Sequence, residues 1–366
     1  MKILYIAPHI TDSGGISRVL SLKTNYLIKE LNYDVSILSV NDCLSNRFYD
    51  FEPAIKWYNC KESKNTILFL KNYISLIKKT ISAEKPDCIV VCDAVLWLSI
   101  PWFVKTEIPI IFETHFSVFF EKSKNKSLYS KFRAKLVRFL KQKTVGKFSC
   151  IVYLTNEESL ERRSKKSIVI PNPLPFTVNN KAALVNKKAM AVCMNPYVKG
   201  LDRLVLIWSK IIKNHPDWEL DVYGNWESND VFQKMVSDLN ISRSVNFLPP
   251  TTDIQNSYNQ SSLFLMTSRT EAFGMVLIEA MSSGVPCIAY DCPTGPRTII
   301  DEGINGFLIE DDNLDSFVQK TELLIEDENL RILMGKNAKN SVSKYDLDSV
   351  MMQWKSLFEE VKNNKY

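Results

Sequence analysis

Short apolar runs rich in β-branched residues alternate along this chain with longer segments whose apolar residues recur every three or four positions. Residues 88–92, CIVVC, are apolar throughout, as expected for a strand that is covered on both faces. Alternating strands and helices predict a parallel sheet. In the first half of the chain, strands are predicted at residues 2–7, 34–40, 87–92, 109–113, 150–154 and 167–171, and helices near 16–31, 66–82, 95–104 and 128–143.

Clustered prolines interrupt this alternation near the middle of the chain. Pro171, Pro173 and Pro175 can continue neither a helix nor a central strand. The alternation then resumes, with strands predicted at 189–193, 219–223, 245–247, 263–266, 286–289 and 306–309, and helices near 201–213, 230–239, 275–283, 314–325 and 329–341. We therefore predict an α/β fold of two doubly wound, Rossmann-like domains at residues 1–172 and 187–345, joined by a linker at 173–186. The amphipathic segment 346–366 is predicted to form a C-terminal helix that crosses back to the N-terminal domain. The two sheets are expected to face a central cleft, because ligands of such sheets bind outside the carboxyl ends of the strands.

Basic residues are concentrated in one segment of the chain. The net charge is only +5, yet residues 122–147 hold ten Lys or Arg residues and no acid. Apolar Leu128, Phe132 and Leu136 fall on one helical face, which is typical of a basic helix at a membrane surface. The residues predicted to contact anionic lipid are Lys131, Arg133, Lys135 and Arg138. An ordinary surface helix with a solvated basic face remains the alternative. Nucleic acid is not an expected partner, since the rest of the chain is nearly neutral and has no recognised binding module.

Cysteine usage and hydropathy indicate the compartment. The eight cysteines lie mostly in apolar runs and form no C-x-x-C pair, and none has a histidine at zinc-ligand spacing. No window reaches 18 consecutive apolar residues, so a membrane-spanning helix is not expected. These features favour a cytoplasmic protein with reduced cysteines, and the basic segment favours a peripheral position on the inner face of the cell membrane.

The most informative window is residues 270–281, TEAFGMVLIEAM. Glu271 and Glu279 are separated by seven residues, and Phe273-Gly274-Met275 marks the turn from a strand-end loop into a helix. The free amides of that first helical turn are predicted to bind a diphosphate. Glu279 lies in an almost entirely apolar stretch, where a lone carboxylate requires a partner or a ligand. The plainer alternative is a capping acid at 271 and a solvated glutamate at 279.

Glu-x7-Glu enclosing Phe-Gly resembles the donor-binding signature of family 4 of the glycosyltransferases, which have the GT-B fold. The resemblance is strongest over residues 261–310 and extends more weakly along the whole chain. It implies transfer of a sugar from a nucleotide-diphosphate donor with retention at the anomeric carbon, usually without a metal. It also implies that Glu271 approaches the donor sugar, that Glu279 binds the ribose and that Lys199 of the Lys199-Gly200 pair contacts the phosphates. The N-terminal domain would then face the acceptor and the C-terminal domain would bind the donor nucleotide.

The chain departs from the family pattern at one position. The family usually has an arginine where this sequence has Met194, so a second cation for the phosphates is missing from its usual place. Arg297 is the candidate substitute, and a salt bridge at a helix start is its alternative role. The departure leaves open a weak or inactive enzyme.

The N-terminal half offers further candidates. Gly14-Gly15 follows the first strand and would let the backbone approach a phosphate or a sugar closely, although it is not the G-x-G-x-x-G nicotinamide fingerprint. His115 follows the predicted strand 109–113, and the family has a histidine at a similar point that contacts the donor sugar. A hydrogen-bonded structural histidine is the alternative. No Asp-x-Asp motif follows a strand, so neither a metal nor another cofactor is expected.

The sequence therefore favours a retaining glycosyltransferase that moves a hexose or N-acetylhexosamine. A UDP-sugar is the favoured donor, and the expected acceptor is a glycan or lipid-linked molecule of surface polysaccharide biosynthesis. Two alternatives remain open: a nucleotide-sugar 2-epimerase of similar fold, and a catalytically weak paralogue that serves as a binding or scaffold subunit.

Overall fold

The computed structural model describes residues 1–40, 47–92, 100–115, 143–162, 166–176, 182–226 and 230–363. The chain divides into two compact units. The first comprises Met1–Pro173 together with Leu347–Tyr366, and the second comprises Leu174–Asp346.

The first unit is built on a parallel sheet. Its strands are β1 (Lys2–Ile6), β2 (Asp34–Val40), β3 (Lys56–Cys60), β4 (Cys88–Cys92), β5 (Ile110–Glu113), β6 (Cys150–Tyr153) and β7 (Ser167–Val169). They are ordered β3-β2-β1-β4-β5-β6-β7, and neighbouring strands run parallel. The direction of strand addition reverses between β1 and β4, and ligands of such folds bind at the carboxyl ends of the strands beside a reversal of this kind.

Helices cover both faces of this sheet. Residues of β1 alternate between two apolar clusters, with Ile3 and Tyr5 in one and Leu4 and Ile6 in the other, because successive side chains of a strand point to opposite faces. The helices of this unit within the described residues are α1 (Gly15–Lys29), α2 (Thr66–Glu84), α3 (Ile100–Phe103), α4 (Asn156–Arg162) and the C-terminal helix.

The second unit is also built on a parallel sheet. Its strands are β8 (Lys188–Val192), β9 (Glu219–Tyr223), β10 (Val245–Leu248), β11 (Leu263–Met266), β12 (Cys287–Tyr290) and β13 (Gly306–Ile309). Their order is β10-β9-β8-β11-β12-β13, again parallel, with the reversal between β8 and β11. Its described helices are α5 (Leu201–Asn214), α6 (Asp230–Asp238), α7 (Ile254–Asn259), α8 (Met275–Ser282), α9 (Gly295–Ile299), α10 (Leu314–Glu326) and α11 (Glu328–Ser341), followed by a 3-10 turn (Ser343–Tyr345).

The C-terminal helix α12 (Leu347–Lys362) belongs to the first unit, although it follows the second along the chain. Its apolar face is buried in the cluster that contains Leu20 and Leu27 of α1. The residues of that face are Val350, Met351, Trp354, Leu357, Phe358 and Val361.

The predicted α/β class with parallel sheets is confirmed. Strand β3 was not predicted, because it pairs only with β2 in the described sheet and its sequence, KWYNC, mixes polar and apolar residues as edge strands do. Of the predicted helix at 95–104, the described part forms α3, and the predicted helix at 128–143 lies almost wholly outside the described residues. None of the helices that the structure describes combines the length and hydropathy needed to cross a bilayer.

Candidate functional site

Two segments of the second unit meet at the carboxyl end of β11. The Thr267 hydroxyl donates to the carbonyl oxygens of Lys199, at 3.1 Å, and Gly200, at 2.8 Å. Gly200 has a φ of 65°, and a Cβ built on it would lie 2.0 Å from the Thr267 carbonyl oxygen. Only glycine permits this approach, which fixes the backbone of Lys199 at the strand end.

Lys199 is paired with Glu271 at this position. Its Nζ lies 2.6 Å from Glu271 Oε1, and the Ser268 hydroxyl donates to the same oxygen at 2.7 Å. The side chain of Lys199 is 23% exposed and that of Glu271 is 8% exposed. Burial lowers the pKa of Lys199, but the charge and hydrogen bond of Glu271 outweigh burial and leave this pKa above its ordinary value. The ammonium is therefore kept charged beside a carboxylate at the edge of the sheet.

The loop that carries Glu271 is held on its other side by Thr294. Its hydroxyl donates to the Glu271 carbonyl oxygen, and the two residues form an isolated parallel bridge. Gly295 follows, and a Cβ there would lie 2.2 Å from the Phe273 carbonyl oxygen. These contacts set the backbone from Glu271 to the start of α8.

Gly274 begins α8 as its N-cap in the left-handed region, with a φ of 95°. Phe273, which precedes it, is buried with its ring edge-on to Tyr345 at a centroid distance of 5.4 Å, and Met275 is the first helical residue. The helix start therefore presents first-turn amides at the same edge as Lys199, as an anion site requires.

Glu279 is buried on α8 and 5% exposed. The hydroxyl of Tyr258, a fully buried residue of α7, donates to its Oε2 at 2.9 Å. The sequence predicted that a carboxylate in this apolar stretch needs a partner, and Tyr258 supplies one.

The proposed substitute for the missing arginine lies in an ion pair. Arg297 Nε donates to Asp291 Oδ1 at 2.8 Å, and its side chain is 44% exposed. A role on a phosphate would require this guanidinium to share or to leave Asp291. Cys193, which precedes Met194, is buried, and burial raises the pKa of its thiol to about 12.

In the first unit, the glycine pair opens α1 after β1. Gly14 is the N-cap and its amide donates to Asp12 Oδ1 at 3.0 Å. Apart from its chain neighbours and the backbone of its own helix, no described atom lies within 4 Å of the point where a Cβ on Gly15 would sit, so space is open beside this glycine.

His115 lies two residues beyond the end of β5. The intervening Thr114 is anchored by its amide, which donates to the Val152 carbonyl at 3.0 Å, and by its hydroxyl, which donates to Glu158 Oε2 at 3.0 Å. His115 Nε2 lies 3.5 Å from Oε1 of Glu113, the last residue of β5. The strand end thus places the imidazole beside a buried carboxylate.

Glu113, His115 and Cys92 offer atoms within 4.8 Å of one another that could ligate a metal. Both oxygens of Glu113, however, accept hydrogen bonds from the ammonium of Lys23, at 2.7 and 2.6 Å. A metal at this point would have to displace a buried lysine, so the residues present do not favour one, and the predicted lack of a metal stays a prediction.

Several residues of these clusters were missed by sequence reasoning. Thr294 and Tyr258 contact their glutamates through the fold, and no local pattern identifies them. Ser268 lies only three residues before Glu271, so the Ser-x-x-Glu spacing was a local signal for this contact. Lys23 did carry a signal, because it lies on the buried face of α1 with Leu20 and Leu27, where a lysine requires a partner. The predicted lipid-contacting residues Lys131, Arg133, Lys135 and Arg138 lie outside the described residues.

The chain is similar to proteins of one family. Residues 181–341 match the family model described as Glycosyl transferases group 1. An uncharacterized glycosyltransferase of Haemophilus influenzae is 30% identical over 371 residues, which span 97% of this chain and 99% of that protein. The amylovoran biosynthesis glycosyltransferase AmsD of Erwinia amylovora is 26% identical over 369 residues, which span 97% of this chain and 99% of AmsD.

A similar fold occurs among solved structures. Alr3699/HepE of Anabaena, solved in complex with UDP and glucose, matches with a TM-score of 0.76 at 17% identity, covering 98% of this chain and 100% of HepE. At this identity the likeness concerns the fold alone, and the predicted GT-B class with its Rossmann-like domains is confirmed.

We expect Tyr258→Phe to destabilise the second unit by about 1.5–3 kcal/mol, because it removes a donor to a buried carboxylate while preserving the ring. Urea unfolding measures the change. The control is Tyr73→Phe in the first unit, whose buried hydroxyl has no hydrogen-bond partner within the described structure and whose removal should cost little. Equal, negligible effects of the two substitutions would show that the bond to Glu279 contributes nothing.

Proposed function

Because the chain belongs to the group 1 glycosyl transferases, we propose that it transfers a hexose or N-acetylhexosamine from a UDP-sugar to a glycan or lipid-linked acceptor, with retention at the anomeric carbon. The observation that carries the proposal is the edge of the second unit, where Lys199, Glu271 and the start of α8 lie together. That HepE was solved with UDP and glucose supports a UDP-sugar as the donor.

The second unit is proposed to hold the donor. Glu279 binds the ribose, while the first-turn amides at Gly274 and Met275, with Phe273 beside them, receive the diphosphate. Lys199 contacts the diphosphate as well. Since an ammonium has three N–H donors, it can bind a phosphate oxygen without abandoning Glu271, whose other oxygen can then accept from a sugar hydroxyl.

Charge on the departing diphosphate is proposed to be stabilised by Lys199 and the helix amides, without a metal or another cofactor. Such preorganised donors act more strongly as charge develops. They also offer a substitute for the arginine that Met194 replaces, and Arg297 is the second candidate if it can share its charge with Asp291.

In the first unit, His115 is proposed to orient the donor sugar, and Gly14-Gly15 to allow close approach of the substrate.

We further propose that the acceptor belongs to surface polysaccharide assembly. The relative AmsD, named for amylovoran biosynthesis, supports this acceptor class. The basic segment 122–147 supports a peripheral position on the inner, cytoplasmic face of the membrane, where lipid-linked acceptors would be met. No nucleic-acid partner is proposed.

Acceptor-dependent release of UDP tests the reaction. UDP-, GDP- and ADP-sugars are incubated with the purified chain, with and without lipid-linked glycan acceptors, and the released nucleotide is measured. We expect UDP release that requires an acceptor, and Lys199→Met should lower turnover at least tenfold while changing UDP affinity less, because the lysine acts mainly in the transition state. The control is Lys210→Met, which removes an exposed ion pair with Asp315 in the same unit.

Other outcomes identify the alternatives. Conversion of the sugar nucleotide to an isomer without any acceptor would indicate an epimerase. Nucleotide binding without release or isomerisation would indicate a scaffold subunit. If Lys199→Met raises only KM, the lysine binds ground state and transition state alike, and its proposed part in catalysis is wrong.

Sedimentation with lipid vesicles tests the membrane proposal. Wild-type protein should bind vesicles that contain anionic lipid, less so as salt is raised, and replacing Lys131, Arg133, Lys135 and Arg138 with Glu should abolish binding. The matched control makes the same charge change at four exposed lysines elsewhere: Lys71, Lys79, Lys213 and Lys336. Equal binding to neutral vesicles, or equal loss in the control, would contradict a specific role for the segment.

A further inference from the structure

Lys23 is completely buried in the first unit. It lies on the apolar face of α1, and its side chain has 0% exposure. Both oxygens of Glu113 accept from its ammonium, at 2.7 and 2.6 Å. Both charges of this ion pair are therefore removed from water.

The ammonium is covered on another side by aromatic rings. The Trp354 ring centroid lies 3.5 Å from Nζ, and the Tyr5 ring centroid lies 5.7 Å from it. A ring face attracts a cation, most strongly where water is excluded. Trp354 belongs to α12, so the C-terminal helix completes the environment of a charge that α1 supplies.

Two further side chains of the described residues lie beside Glu113. The Cys92 thiol donates to its Oε2 at 3.4 Å, and His115 Nε2 lies 3.5 Å from its Oε1. Burial alone would raise the pKa of Glu113, but Lys23, followed by His115, holds this pKa well below its usual range. A permanent carboxylate charge is thus kept beside the imidazole.

A stability role alone does not explain this arrangement. Removing two charges from water costs several kcal/mol for each ion, to order of magnitude, and apolar residues of similar volume often stabilise a core equally well. Glu113 lies at the carboxyl end of β5, two residues from His115. Ligands of parallel α/β sheets bind outside the carboxyl ends of the strands.

We propose that Glu113 is a positioning residue for His115, and that Lys23 and Trp354 hold Glu113 in the ionised, fixed state that this task requires. The carboxylate orients the imidazole and favours the tautomer that carries its proton on Nε2. At 3.5 Å the contact is longer than a good hydrogen bond, so attraction between charge and dipole carries it. The inference rests on the proposed role of His115 at the donor sugar.

The test begins with a variant that lacks both charges, Lys23→Met/Glu113→Gln, in the full-length chain. Replacing both partners avoids an unpaired buried charge, so the fold should persist, as melting temperature and UDP affinity will report. The ring ¹⁵N shifts of His115, assigned among the three histidines of the chain, report the tautomer of the neutral imidazole. We expect protonation at Nε2 in the wild type and a mixed or shifted tautomer in the variant.

Turnover supplies the second readout. We expect the double variant to lose at least tenfold in kcat with little change in donor KM, and to cause no additional loss when it is combined with His115→Ala. Residues that act as one unit give such non-additive losses, whereas an independent effect on the fold would multiply with that of His115→Ala.

If the double variant fails to fold, Trp354→Leu replaces it, since leucine keeps bulk but removes the ring face over Lys23. Phe358→Leu is the matched control, because Phe358 is equally buried on α12, and its ring lies beside that of Trp354, tilted by 39° at a centroid distance of 5.5 Å. We expect Trp354→Leu to lower kcat and change the His115 tautomer, and Phe358→Leu to do neither.

Each remaining outcome decides a separate point. An unchanged His115 tautomer in a folded variant would overturn the inference, whatever the activity. If the kcat losses of the double variant and of His115→Ala multiply when the substitutions are combined, the inference is overturned as well. A fully active His115→Ala would instead refute the proposed role of His115, while the tautomer would still show whether Glu113 positions the ring.

Discussion

In a parallel sheet that is covered on both faces, charged side chains are accommodated mainly at the ends of the strands, and this constraint applies to both units. Among the described residues, each unit pairs a lysine with a glutamate at the carboxyl end of a strand. Lys23 pairs with Glu113, the last residue of β5, and Lys199 pairs with Glu271, in the loop after β11. Burial alone would raise the pKa of Glu113, but Lys23 and His115 together outweigh burial and hold this pKa below its ordinary value. Each lysine offsets the charge of its glutamate, and each pair places charged groups at the carboxyl end of a strand.

The two pairs differ in exposure, and the difference suits different tasks. Lys199 keeps 23% of its side chain exposed, so a ligand can reach it, whereas Lys23 is completely buried between Trp354 and Glu113. Rigid backbone supports both. The backbone of Gly200 packs so closely against the Thr267 carbonyl that a side chain at position 200 would clash with it. Thr114 is hydrogen-bonded to β6 and α4. The candidate functional residues of both units therefore lie at or just beyond the ends of buried core strands.

Much of this organisation could be predicted from the sequence, because buried parallel strands leave a local signal. The predicted strands at 34–40 and 219–223 coincide with β2 and β9. β3 was missed because an edge strand need not be apolar on both faces. The candidate residues Glu271, Glu279 and Lys199 were identified by a short spacing and a resemblance, whereas Thr294 and Tyr258 reach the two glutamates through tertiary structure that no spacing encodes. Lys23 could have been found as a charge on an apolar helical face, but its partner, 90 residues away, could not.

The proposed function depends above all on UDP binding to the second unit, with Glu279 of α8 contacting the ribose. Calorimetric titration of UDP into the wild type, Glu279→Gln and the exposed control Glu310→Gln tests it most directly. We expect Glu279→Gln alone to weaken binding, by at most about 1.5–3 kcal/mol, because the amide offers the ribose one neutral acceptor oxygen in place of a charged carboxylate. The deficit should shrink for 2′,3′-dideoxy-UDP, which lacks the hydroxyls that Glu279 would bind. Unchanged UDP affinity in a folded Glu279→Gln protein would show that Glu279 does not bind the ribose.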